Sequence, residues 1–148
     1  MNLIKLCFSF FGRVNRAKYW IGFGIAFGML WLGVLVFGVL VFFSIEPEES
    51  VFWNGAIGLW ALLWSVALLA VATKRLHDLD ISGWWLLGFM FLPILLEMWA
   101  VQVIHMDLRR EIETIALFIG FIWLGSAKGT VGSNRFGPDP ILRLANKV

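Results

Sequence analysis

Residues 19–43, YWIGFGIAFGMLWLGVLVFGVLVFF, run for 25 positions with no ionisable side chain except the phenol of Tyr19. About 20 apolar residues in a helix span the ~30 Å hydrocarbon core of a bilayer, so this stretch is long enough to cross. The pattern returns at 51–73, and at 84–104 only Pro93, Glu97 and Gln102 interrupt it. A chain of 148 residues that is 60% hydrophobic has too little interior to bury three such stretches. The expected fold class is all-α: a polytopic α-helical membrane protein forming a single membrane domain over 1–148.

Charge and cysteine usage narrow the function classes. Twelve basic and ten acidic residues leave a net charge of +2, too little for a nucleic-acid binder. Cys7 is the only cysteine, so neither an intrachain disulfide nor a cysteine metal cage can form. Basic residues ahead of an apolar stretch resemble a signal peptide, but 25 residues exceed a signal h-region, and the expectation is an uncleaved signal anchor.

The distribution of Lys and Arg sets the expected orientation. With the N-terminus inside, the inner segments 1–18, 74–83 and 128–148 hold 4, 2 and 4 basic residues, and the outer segments 44–50 and 105–113 hold 0 and 2. This bias places both termini in the cytoplasm and requires an even number of crossings, about 19–43, 51–73, 84–104 and 110–127. The fourth is short, because only Thr114 to Ala127 is free of charge; Arg109 and Arg110 would snorkel to the outer headgroups. A re-entrant hairpin bent at Pro93 is the rival. The opening LIKLCFSFF reads as an interfacial helix or a frayed terminus. Gly24 and Gly28 form a GxxxG pair, a surface that permits close helix approach and thus a homo-oligomer.

Three polar clusters carry more pattern than membrane loops require: GRVNRAKYW at 12–20, RLHDLDISGWW at 75–85 and GTVGSNRFGPDP at 129–140. In this order they resemble the domain-of-unknown-function 805 family of small bacterial inner-membrane proteins. That family shares a GRxxRxxYW-like entry to the first helix, an RLHD…SGWW-like loop and a GTPGxNRYGPDP-like tail. The resemblance implies an inner-membrane location and brings no established reaction, substrate or cofactor. Val131 stands where the family usually has proline, and 43 residues between Trp85 and Gly129 replace what is commonly one hydrophobic span.

With four crossings all three clusters share the cytoplasmic face. Arg13, Arg16, Arg75 and Arg135 would then meet Asp78, Asp80 and Asp139, with Arg75–Asp78 and Arg135–Asp139 as the pairs nearest in sequence. Asn134 and Asp139 are residue types that close turns by bonding nearby backbone. One reading is a structural clasp of ion pairs and caps. The other is a site for an anion, a lipid headgroup or a phosphate-bearing partner, with the arginines as donors. His77 beside Asp78 lacks the further ligands of a metal site and the partners of a catalytic one, so it is expected to bond a carbonyl, while Asp80 or Ser82 caps the next helix.

Glu97 is the one carboxylate inside an expected span, where an unpaired charge costs several kcal/mol. Glu97, Gln102 and His105 fall within about 140° on a helix and could line a polar path, or Glu97 could pair with Arg109 or Arg110 near the outer surface. The expected function is non-enzymatic, with no cofactor: binding of a membrane lipid or protein partner through the cytoplasmic Arg/Asp cluster. The alternative is a small oligomeric transporter using Glu97.

Overall fold

A computed structural model of the protein describes residues 2–43, 51–88 and 109–141. Four helices carry it: α1 Leu3–Phe8, α2 Arg16–Phe42, α3 Val51–Asp78 and α4 Arg109–Ser126. A helical turn stands at 85–88, and the described residues hold no strand beyond a single bridge between Asn134 and Gly137. All of α2, and Trp53–Asp78 of α3, are long and apolar enough to cross a membrane, whereas Leu117–Ser126 of α4 is a shorter apolar helix. Of the expected spans, 84–104 lies mostly outside the described residues, as do Glu97, Gln102 and His105. The expected 110–127 span corresponds to the 18 residues of α4, roughly 27 Å of helix.

The chain divides into two compact units, Met1–Phe10 with Trp20–Val71, and Phe11–Tyr19 with Ala72–Val148. In the first unit, Asn2 caps α1 by accepting the Lys5 N–H at 3.0 Å, and α1 buries Leu6 and Cys7 while Leu3, Ile4 and Phe8 stay exposed. Packing of α2 against α3 uses small residues, because in lipid close backbone approach is the main source of helix attraction. Ala26, Ala67 and Ala70 are fully buried. A Cβ on Gly22 would strike Val71, and one on Gly33 would strike the Trp60 indole, whose Nε1–H donates to the Met29 carbonyl at 3.0 Å. Eleven residues up α2 thus match eleven down α3, and the pair is antiparallel.

Gly24 and Gly28 are not part of this seam: a Cβ on either would meet nothing within 4 Å. Among the described residues nothing packs on the GxxxG face, and the close approach falls at Gly22 and Gly33. Leu35, Leu59, Leu62 and many other large apolar side chains on both helices are exposed. A continuous apolar exterior of this kind suits hydrocarbon and not water.

Candidate functional site

The second unit brings the three polar clusters together. Its starting point is the end of α3, which continues past the apolar stretch 51–73 for five more residues, Lys74 to Asp78. The helix stops in a Schellman arrangement: Asp80 N–H donates to the His77 carbonyl at 3.1 Å and Ile81 N–H to that of Leu76 at 2.9 Å. Asp80 takes the left-handed position at φ 61, where glycine is usual and Asp is tolerated. Its exposed carboxylate lies 3.2 Å from the Arg135 guanidinium, which also donates to the Asp80 carbonyl at 2.7 Å.

At the centre is Asp78, whose two oxygens each accept from a different arginine. Arg13 reaches one at 3.1 Å and Arg75 the other at 2.5 Å, with all three side chains almost completely buried. Two cations share one anion, and main-chain carbonyls take up the remaining donors. Arg13 donates to Thr130 and Gly132 at 2.6 Å each and to Gly137 at 3.3 Å. Arg75 donates to Leu124 at 2.9 Å, to Val14 at 3.3 Å and to Ala127. The Leu124 and Ala127 carbonyls end α4, so Arg75 caps a helix terminus whose dipole favours a cation. Burial pushes the Asp78 carboxyl upward, and the bond from Arg13 and the charge of Arg75 pull it back. Burial is the larger effect, so the carboxyl sits above its usual range.

The tail is folded onto this centre. Thr130 donates both its N–H, at 2.8 Å, and its hydroxyl, at 3.1 Å, to the Asp78 carbonyl. Gly129 leaves no room for a side chain, because a Cβ there would strike the Asp78 carboxylate. Asn134 and Gly137 exchange backbone bonds at 3.1 and 3.0 Å around a two-residue turn. The Asn134 side chain accepts from Phe136 N–H at 2.9 Å and donates to the His77 carbonyl at 2.9 Å and to Thr130 at 3.0 Å. Asp139 accepts Gly132 N–H at 3.0 Å and Ile141 N–H at 2.8 Å. The sequence pairing of Arg135 with Asp139 is corrected here: Arg135 meets Asp80, and turn N–H groups occupy Asp139.

His77 lies flat on the Phe136 ring, with centroids 3.9 Å apart and planes 4° from parallel. The Arg135 guanidinium sits 4.7 Å from the centroid of the same ring. Nδ1 lies 3.2 Å from the Gly12 carbonyl, an acceptor only, so Nδ1 carries the proton. Burial lowers His77 below its usual range, the Gly12 bond opposes this, and Arg135 lowers it further. No group of three or more His, Cys, Asp or Glu suited to a metal occurs among the described residues. Ser82, and not Asp80, is the residue whose side chain accepts the Trp84 N–H, at 3.4 Å.

Arg16 lies at the edge of the buried cluster and shares the Ala127 carbonyl with Arg75. It is exposed, and its Nε donates to the Ala127 carbonyl at 3.0 Å. Beside it opens a cavity of about 350 Å³ lined by the start of α2, by Lys128–Val131 and by Asp139–Ile141. From sequence Lys128 reads only as a cation at the C-terminal end of the expected fourth crossing, not as a site residue.

Residues 7–138 match the family model described as "Protein of unknown function (DUF805)". Among curated relatives, the uncharacterized protein YiiR of Escherichia coli K12 is 34% identical, over 94% of this chain and 90% of its own. The E. coli inner membrane protein YhaI is 29% identical over 95% and 92% of the two chains, and the inner membrane protein YhaH 26% identical over 96% and 95%. No solved structure matches. The three polar motifs that make the clasp fall within or at the edge of the matched range, and the chain belongs to the DUF805 family.

Proposed function

We propose that the protein is a non-enzymatic, multi-pass protein of the bacterial inner membrane that binds anionic lipid at its cytoplasmic face. The carrying observation is the charge balance around the clasp. Across 13–18, 74–80 and 128–139, seven Lys and Arg stand against three Asp. The clasp itself, Arg13, Asp78 and Arg75, is saturated by its own bonds, which supports a structural role for it. Outside it Lys74 is fully buried and Arg135 pairs with Asp80, so the surplus lies on Arg16, Lys18 and Lys128 beside apolar helix, and anionic leaflets attract such residues by about 1 kcal/mol each.

Several observations support this location and topology. Two relatives are named inner membrane proteins, and α2 and α3 are each long enough to cross. Contacts among residues 12–16, 74–80 and 124–137 require these segments to share one side of the membrane, which fits four crossings and cytoplasmic termini. Extraction of the protein with its surrounding native lipid, followed by analysis of what accompanies it, tests the binding reading. Anionic phospholipid should be enriched over the bulk membrane. A lipid composition equal to the bulk, or a stoichiometric protein partner in its place, would contradict it.

A further inference from the structure

Deepening that reading, we infer that the cavity beside Arg16 and Lys128 is a seat for the phosphodiester of an anionic phospholipid headgroup. Its volume of about 350 Å³ falls within the ~300–1,000 Å³ of small-ligand sites. The two acidic residues in its wall are already engaged, Asp78 by two guanidiniums and Asp139 by two backbone N–H groups. The two exposed cations in the wall are not. Arg16 uses only Nε on the protein, toward Ala127, and its terminal nitrogens have no partner among the described residues. The Lys128 ammonium has none there either. A planar guanidinium with two open N–H groups matches two phosphate oxygens, and an ammonium adds a point charge beside them.

Depth distinguishes a lipid phosphate from a dissolved one. Arg16 precedes the apolar stretch of α2 by three residues, and Lys128 follows the apolar end of α4 at Ser126 by two. Side chains at those positions reach headgroup level. Ala17, Val131 and Ile141 give the cavity an apolar wall, suited to the glycerol end of a lipid and of no use to a hydrated inorganic ion. The buried clasp holds both flanking segments, so the seat is built before any ligand arrives.

The test is native mass spectrometry of the full chain in detergent, titrated with phosphatidylglycerol and separately with phosphatidylcholine, with inorganic phosphate as competitor. Wild type should prefer phosphatidylglycerol by about tenfold, each charge counting for a few-fold. Lys128→Gln, which breaks no protein contact, should weaken that binding several-fold, and adding Arg16→Gln should remove the preference with the unfolding temperature little changed. Arg16→Lys should retain part of it. Phosphatidylglycerol binding unchanged in both charge-removing variants would overturn this seat and leave lipid binding elsewhere standing. Equal binding of both lipids to wild type would overturn the lipid reading as a whole. Displacement of phosphatidylglycerol by equimolar inorganic phosphate would show that the source is the free ion.

Discussion

Asp78 is where the energetics of single residues concentrate. Two buried guanidiniums depend on one carboxylate, and removing one member of such a group leaves charge buried and uncompensated, at about 3–5 kcal/mol. Asp78→Asn keeps shape and volume, so its loss reports the charge. We expect it to lower stability by about that amount, measured as the shift in the denaturation midpoint in detergent. A loss under ~1 kcal/mol would show that the carbonyls alone hold Arg13 and Arg75. The sequence displayed part of this arrangement. Arg75 and Asp78 are three apart on a helix and thus neighbours on its surface. Arg13 is 65 residues away, and only the fold brings it to the same carboxylate. Closeness in sequence misled for Arg135 and Asp139, because the tail turns tightly enough for its own N–H groups to occupy Asp139.

Among the elements, α3 shows why apolar runs locate helices better than they locate helix ends. Its apolar stretch stops at Thr73, yet the helix continues to Asp78. Lipid sets where the hydrophobic side chains end, while the clasp and the Schellman turn set where the backbone does. Nothing in the string HDLDI announces that turn, because its left-handed residue is Asp80 and not glycine. The seam between α2 and α3 was equally hidden: Gly22 and Gly33 have no familiar spacing, whereas the familiar pair Gly24 and Gly28 meets none of the described residues. Asp80→Gly should be close to neutral, because relief of the positive φ offsets loss of the exposed Arg135 pair, worth about 0–1 kcal/mol. Asp80→Val should destabilise by about 1–2 kcal/mol, because a β-branched residue resists that conformation. Equal melting temperatures for the two variants would show that the turn does not depend on the backbone at Asp80.

For the whole molecule, a polar knot and an apolar exterior explain each other. Large hydrophobic side chains can face outward along α2 and α3 because lipid covers them, so the described part of the chain needs little apolar core to hold its loops. A buried ion cluster and saturated carbonyls do that work in the second unit, and no described buried side-chain nitrogen or oxygen is left without a hydrogen bond. Hydropathy was enough to read the described residues as helical, and motif order to expect the three clusters together. The bonds that join them join residues far apart in the chain, which periodicity cannot report.

Membrane topology decides whether that joining can occur. Segments 12–16, 74–80 and 124–137 can bond only if they share a compartment, so an even number of crossings between the first motif and the tail is the expected result. A reporter fused after Val148 should read cytoplasmic, and one inserted near Glu48, between α2 and α3, should read external. An external reading after Val148 alongside a cytoplasmic N-terminus would put the tail across the membrane from Asp78 and contradict the clasp outright.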